Sequence, residues 1–194
     1  MRIISGSLKG RKLQTFHGTG VRPTPDRVRE ALFSILSSKT KGAAVLDLFA
    51  GTGALGIEAV SRGASSAFFI DNSPASLTIL KKNLRHCRLS ETAQVIRWDA
   101  SRNLNCLRAY HRTFNLVFMD PPYGHNLATT TLKHLLQVDC LDNGATIVVE
   151  HEPGLQWVAV GSFIRMIDSR RYGRTQLSFF SFEVTPSAKI TGSS

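Results

Sequence analysis

An open, mostly parallel α/β sheet flanked by helices is the fold predicted for this chain, and three observations predict it. Over residues 43–152 short β-like runs alternate with helical ones, the first helical run is opened by glycines directly after a strand, and acids stand where successive strands end. Strands alternating with helices at this spacing form parallel β-α units, with helices on both faces of the sheet. With 194 residues the chain can bury one well-filled core but is short for a second full-sized domain, so residues 1–184 are read as one domain.

Each element has its own reason. In "RPTPDRVREALFSIL" Thr24 suits an N-cap, Pro25 the first helical position and Asp26 the first turn. Val28, Ala31, Leu32, Ile35 and Leu36 then fall on one apolar face, with Arg27 and Arg29 on the solvated one. "AAVLDLF" (43–49) reads as a buried strand and Ala54 to Arg62 as a helix. "SAFFID" (66–71) is a second strand and Pro74 to Cys87 a second helix. "AQVIRWD" (93–99), "FNLVFMD" (114–120) and "ATIVVEHE" (145–152) are three further strands. Phe163 to Ser169 and Thr175 to Val184, joined by a turn at "RRYGR", are expected to complete the sheet as an antiparallel hairpin. Residues 185–194, small and polar, are expected to form a disordered tail.

Charge is segregated along the chain. Residues 1–41 carry nine Lys/Arg against two acids, residues 42–164 ten against ten, and residues 165–194 five against two. Basic flanks around a neutral core suggest a polyanionic partner, nucleic acid first, because solubility alone does not require segregated sign. No apolar run of membrane-spanning length occurs, and the N-terminus lacks the apolar region of a signal peptide. A cytoplasmic protein with no membrane partner is therefore expected. Cys87, Cys106 and Cys140 are odd in number and far apart, without C-x-x-C or a nearby histidine at ligand spacing. They read as reduced thiols, and no metal site is expected.

Two motifs carry chemistry. In "DLFAGTGALG" a G-x-G-x-x-G pattern falls at Gly51, Gly53 and Gly56, after a strand and into a helix, with Asp71 twenty residues beyond Gly51. That spacing suits a dinucleotide, the acid holding a ribose. Asp47 points elsewhere, since its charge at the first strand end would repel a pyrophosphate and attract a cationic amino-acid group. Asp99, ending the third strand in "RWDA", is a candidate acceptor for an exocyclic purine amine. A ligand with a cationic amino-acid group, a ribose and an adenine suits all three, and S-adenosylmethionine has them. Ala50, Gly51, Thr52 and Gly53 in the loop, Asn72 beside Asp71 and Ala100 beside Asp99 complete the candidate cofactor contacts. Each acid also has a plainer use, as an N-cap or turn residue at its strand end.

"FNLVFMDPPYG" then sets a carboxylate at the mouth of the fourth strand. If the Asp120 carboxylate and the Pro121 carbonyl each accept one N–H of an amine conjugated to a ring, its lone pair is left facing the methyl donor. Pro122 keeps the turn extended and Tyr123 can stack on the base. Positioning then supplies most of the catalysis and no base of raised pKa is required.

Four stretches carry a family resemblance: "GxxKGRKL" (6–13), "RPTPDRVREALFSIL" (22–36), "VLDLFAGTGALGIEAVSRGA" (45–64) and "FMDPPY" (118–123). Together the chain resembles the bacterial RsmD family over roughly residues 1–184. The resemblance implies a Rossmann-like class I S-adenosylmethionine-dependent methyltransferase with a seven-stranded sheet and a basic N-terminal extension. It further implies that "DPPY" holds a guanine to be methylated on its 2-amino group, and that the glycine loop and Asp71 hold the cofactor. The implied substrate is small-subunit (16S) ribosomal RNA in a partly assembled particle. The chain departs from the family in carrying Asp71, followed by Asn72, Ser73 and Pro74, where the family often has Glu and an acidic or Asn residue two positions on.

Lys9, Arg11, Lys12 and Arg22, with Arg2, are candidate phosphate contacts, and Thr24 in "RPT" lies near the site mouth unless it serves only as the N-cap. Arg170, Arg171 and Arg174 around their turn are further candidates for the RNA surface. A DNA adenine methyltransferase shares "DPPY" but needs a target-recognition region for which this chain has no room. A protein glutamine methyltransferase more usually has Asn at the position of Asp120. A dinucleotide-binding oxidoreductase, or a catalytically silent RNA-binding module, is the reading from another class. A monomer with no DNA partner is expected.

Overall fold

The computed structural model describes residues 1–16, 26–122, 124, 126–157, 161 and 163–184. Five strands, β1 (Ala44–Leu48), β2 (Ser66–Asp71), β3 (Ala93–Arg97), β4 (Phe114–Met119) and β5 (Leu141–His151), run parallel. With β6 (Ile164–Tyr172) and β7 (Thr175–Phe182) they form a seven-stranded sheet of order β3-β2-β1-β4-β5-β7-β6, the last two antiparallel. The order reverses between β1 and β4, the crevice where open α/β sheets bind ligands.

The helices are α1 (Asp26–Ile35), the single turn α2 (Ser37–Thr40), α3 (Ala54–Ser61), α4 (Pro74–Cys87) and α5 (Leu127–Leu136), with a 3-10 segment at Asn105–Tyr110. The bounds of α4 coincide with the sequence reading because both ends are locally encoded. Ser73 caps it by accepting the Ser76 N–H at 3.3 Å, Pro74 fits the first turn, and Arg88 closes it in the left-handed region at φ +59°. The 3-10 segment and α5 were not anticipated, and β5 starts four residues before the expected Ala145.

Side chains alternate across the strands into two cores. Val45, Phe69, Phe118 and Phe179 pack with residues of α1, α3 and α4 on one face. Leu46, Ile70, Ile147 and Phe180 pack with residues of α5 and the 3-10 segment on the other. The terminal hairpin is present as expected but tighter: Tyr172 pairs with Thr175, leaving Gly173 at φ +64° to make the turn with Arg174. β7, not β6, adjoins β5. Its run Leu177 to Ser181 is buried throughout, while β6 carries Arg165, Asp168, Arg170 and Arg171, which suit an exposed edge.

Helix α1 departs from its expected face. Ile35 is exposed and Phe33 takes its place in the core, 5.6 Å from Phe118 and under the Arg62 guanidinium. Arg29, read as solvated, is fully buried. It faces a partner 29 positions away, Glu58 of α3, itself 0% exposed. Glu58 accepts the backbone N–H groups of Ile4 (2.8 Å) and Ser5 (3.0 Å) and the Arg62 Nε–H (2.8 Å), with Arg29 Nη1 at 4.0 Å. Arg29 Nη2 in turn donates to the Arg2 carbonyl and to Asp26. The N-terminal segment, folded back by an antiparallel bridge between Arg2 and Lys12, is thereby clamped to α3. Gly6 makes the closest approach, where any Cβ would lie 1.8 Å from the Ser61 carbonyl oxygen. Glu58→Gln, which keeps the shape but removes the charge, should cost roughly 1.5 to 3 kcal/mol. A lowered urea midpoint at unchanged m-value is the expected reading.

Candidate active site

Four strands deliver acids to one rim of the sheet: Asp47 near the end of β1, Asp71 closing β2, Asp120 following β4 and Glu150 near the end of β5. Between β1 and α3 the chain turns through Phe49, Gly51 and Gly53, all with positive φ (58°, 55° and 79°). For a bulky residue such as Phe49 that conformation is strained, and strain of this kind gathers at ligand-binding turns.

The three glycines do different work. Around Gly51 space is open: a Cβ there would find its nearest neighbour 3.9 Å away, so this backbone can be approached from outside. A Cβ at Gly53 would meet Leu80 Cδ1 at 2.3 Å, and one at Gly56 would meet the Phe69 ring at 2.4 Å; these two let α3 close onto α4 and β2. The Gly56 N–H donates to Asp47 Oδ2 at 2.9 Å.

Asp71 organises the same turn from the next strand. Its Oδ2 accepts the Gly51 N–H at 2.8 Å and its Oδ1 the Ser73 N–H at 2.8 Å. Each carboxylate oxygen retains a lone pair, so a ribose diol can still donate to it. The short Asp71 side chain therefore fits both duties, loop closure and sugar contact. Asn72 beside it is exposed, and Ala50 and Thr52 line the loop, the Thr52 carbonyl accepting from Asn83 Nδ2 at 2.9 Å.

Asp99 is placed differently from the other acids. Its Oδ1 accepts the Ser101 N–H and hydroxyl, and its Oδ2 faces Arg102 Nε at 3.3 Å, which is the turn-forming use of an aspartate. Ala100 is buried behind it, with its carbonyl 3.4 Å from His134 Nδ1. Asp71 acts electrostatically on Asp47, and Asp47 on Asp120, whereas Asp99 is bonded within its own loop.

Burial governs the charges. Asp47, 3% exposed, has its pKa pushed up to about 8 by desolvation, opposed by the Gly56 N–H and assisted by the charge of Asp71. Asp120 keeps some accessible surface, yet protein surrounds its carboxyl on nearly every side. Its pKa lies well above the usual range, through desolvation first, then the negative charges of Glu150 and Asp47. A base of raised pKa, not required by the sequence argument, is therefore built into the site. A cation bound among these acids favours their ionised forms, and a sulfonium and an ammonium are such cations.

Asp47 yields a pH test. Its folded-state pKa is raised above the unfolded value of 3.8, so its contribution to stability is full below pH 3.8 and is lost as pH rises through about 8. Asp47→Asn, which preserves an acceptor for Gly56, should flatten that decline and raise the melting temperature at pH 8 by roughly 5 °C or more. The same change should weaken binding of a cationic cofactor. Thermal melts between pH 4 and 8, with and without cofactor, check both statements.

Beside the Asp120 turn, a depression is lined by Pro121, Pro122, Asn126, Glu150, Glu152 and Leu155. Below it His151 is fixed, with Nδ1 2.8 Å from the Glu152 carbonyl, Nε2 2.8 Å from Ser178 Oγ and Trp157 edge-on. Burial holds its pKa down, so the ring is a neutral support. Tyr123, and Arg22 and Thr24 of the expected substrate contacts, lie outside the described residues.

Of the other substrate candidates, Lys9 and Lys12 are exposed on the N-terminal segment. Arg11 is half-buried and donates to the His86 carbonyl at 3.1 Å, so part of its role is anchoring α4. Arg170 pairs with Asp168, and the Arg171 Nε–H donates to the Gly173 carbonyl. Burial pushes the free thiols of Cys106 and Cys140 up to about 11 and about 12, which disfavours their thiolate forms.

Two residues escaped the sequence reading. Glu150 sits inside "IVVEHE", an apolar strand where a buried acid beside Asp120 was itself the available clue. Asn83 left no clue, being one polar residue in a helix. It is 1% exposed, accepts the Gln14 N–H at 2.7 Å and donates to the Gln14 and Thr52 carbonyls at 3.1 and 2.9 Å, joining the N-terminal segment to the glycine loop.

With this geometry, comparison with known proteins is specific. The family model described as "Conserved hypothetical protein 95" matches residues 1–181. "Ribosomal RNA small subunit methyltransferase D" of Escherichia coli (strain K12) is 40% identical over 152 residues, 78% of this chain and 75% of that one. Its Haemophilus influenzae counterpart is 39% identical over 155 residues, 78% and 79% of the two chains. The chain belongs to the RsmD family. Among solved structures, the E. coli protein yhhF, provisionally described as a methyltransferase, superposes with a TM-score of 0.83 at 34% identity, covering 95% of this chain and 99% of that one. The RsmD resemblance carried by four short stretches thus extends through the whole sheet, and the fold is that of class I S-adenosylmethionine-dependent methyltransferases.

Proposed function

We propose that this chain transfers a methyl group from S-adenosylmethionine to the exocyclic 2-amino group of one guanine in small-subunit ribosomal RNA, presented in a partly assembled particle. The observation that carries the reading is Asp120. It stands at the switch point of the sheet, beside two other buried acids, and is followed directly by the backbone of Pro121 and Pro122. The names borne by the 39–40% identical relatives support ribosomal RNA as the substrate class.

The residues present fit the cofactor: an open glycine backbone at Gly51, ribose acceptors on Asp71, and buried acids that suit its cationic groups. When bound, S-adenosylmethionine supplies an electrophilic methyl on a positively charged sulfur. The chain does the rest. A guanine amine is a weak nucleophile because its lone pair is delocalised into the ring. Asp120 and the Pro121 carbonyl accept its two N–H groups and hold the nitrogen with its lone pair turned to the methyl. Asp120, its pKa raised by burial and by Glu150 and Asp47, is also suited to take the proton released as the N–C bond forms. Orientation of this kind is worth effective molarities of order 10⁵ to 10⁸ M.

A guanine displayed in a loop suits so small a fold, since RNA is read mainly at unstacked bases and extruding a paired base costs a few kcal/mol. The test compares methyl transfer to assembled small subunits lacking the modification, to naked small-subunit RNA and to duplex DNA, with nucleoside mass spectrometry of the product. N2-methylguanosine formed fastest on subunits is the expected result. Equal rates on naked RNA would remove the particle requirement, and N6-methyladenine in DNA would overturn the reading.

A further inference from the structure

We propose that the exposed face of α4 and the N-terminal segment docked beside it form one continuous surface for the sugar–phosphate backbone of the RNA substrate. The inference rests on the ribosomal RNA reading above and adds a surface that the chain's own charge count conceals.

From Asn72 to Ser90 there is no acid, while Lys81, Lys82, Arg85 and Arg88 all occur there and all are exposed. Lys81 and Arg85 stand at i and i+4, on one stripe of the helix, and Arg88 follows at its C-cap. Among the described residues none of the four joins an ion pair. Like charges at this spacing destabilise a helix by tenths of a kcal/mol. The helix dipole offsets that cost for Arg85 and Arg88 at the C-terminal end, but not for Lys81 and Lys82 further in.

Tertiary contacts join this stripe to the N-terminal segment. Asn83 bonds both backbone groups of Gln14, and the Arg11 guanidinium reaches the His86 carbonyl, so the segment that carries the exposed Lys9 and Lys12 is held against α4.

Burial then changes the sign of the core's surface. Residues 42–164 are neutral in sequence, ten cations against ten acids. Four of those acids, Asp47, Glu58, Asp71 and Glu150, are buried, and none of the ten cations is. The solvent-facing charge of the core is therefore positive, and α4 with its C-cap carries four of its cations outside any ion pair among the described residues. An extended polyanion complements such a surface better than a compact acidic ligand does.

The test uses the full chain with Lys81→Gln, Lys82→Gln and Arg85→Gln combined, and small ribosomal subunits as substrate over a range of salt. KM for subunits should rise about tenfold or more at physiological salt, and the slope of log(kcat/KM) against log[salt] should become shallower by about two, at roughly 0.7 to 0.9 per lost phosphate contact. Cofactor affinity by calorimetry and the melting temperature should stay at wild-type values. Lys81→Arg with Lys82→Arg, which keeps the charge, should bind subunits as wild type does. Unchanged KM and slope in the triple variant, with losses confined to Lys9→Gln and Lys12→Gln, would overturn the α4 surface. So would a triple variant that loses binding to phosphatidylserine vesicles while treating subunits normally. A wild-type chain that methylates no ribosomal RNA would fail the underlying reading, and that failure appears before any variant is made.

Discussion

Asp120→Ala should abolish methyl transfer, lowering kcat by about 10³ or more, equivalent to roughly 4 kcal/mol of transition-state stabilisation. The carboxylate is assigned both to one acceptor N–H and to the proton that leaves, and alanine can do neither. Affinity for S-adenosylhomocysteine should change little, because the proposed ribose contact is assigned to Asp71, which also holds the glycine loop through the Gly51 N–H. The loss will not reflect unfolding. Asp120 titrates higher in the folded chain than in the unfolded one, so its contribution to stability is present below the ordinary carboxylate range and is lost as pH rises through the raised value. At neutral pH its removal should therefore leave the fold at least as stable. The neighbours supply a second reading. Glu150 raises the Asp120 pKa, so Glu150→Gln should let Asp120 ionise at lower pH and move the acid limb of the kcat/KM profile downward. Wild-type turnover in Asp120→Ala would sink the catalytic assignment.

Asp71→Ala should weaken cofactor binding by about a hundredfold or more. Two losses combine: the charge-assisted bonds to the ribose, roughly 1.5 to 3 kcal/mol each, and the order of the loop itself. Gly51 and Ser73 both donate to this side chain at 2.8 Å, so its removal releases the glycine turn and the start of α4 together. Asp71→Asn keeps one acceptor and should fall between the two. Calorimetry with S-adenosylmethionine and with NAD checks the assignment directly. An Asp71→Ala chain that binds S-adenosylmethionine as wild type, or a wild-type chain that prefers NAD, would refute it.

Local chemistry explains which parts of the site were legible in advance. The glycine turn, the acid ending β2 and the D-P-P run after β4 are each specified within a few residues, by turn geometry and by the side-chain alternation of the strand before them. Asp99 was legible as a strand-end acid with two possible uses, and the sequence could not choose between them because both share one pattern; the fold shows its Oδ1 bonded within its own turn. Arg29 was misread for a related reason. A charged residue on an amphipathic helix is normally solvated, and its burial goes with the Arg2 carbonyl and Glu58, partners outside the helix that periodicity within it cannot reveal.

The sequence by itself determined the alternation of strands and helices, the hairpin that ends the sheet, and the identity and chain order of the acids and glycines at its rim. These depend on periodicity and turn residues read over short windows. Only the tertiary structure decided which acids lose their contact with water, that β7 rather than β6 pairs with β5, and that Asn83 ties the N-terminal segment to the glycine loop. It alone turned a core of zero net charge into a positive surface. The physical reason is that desolvation, strand order and the pairing of buried charges are set by neighbours distant in sequence, and a carboxylate's charge counts for the outside only if the fold leaves it there.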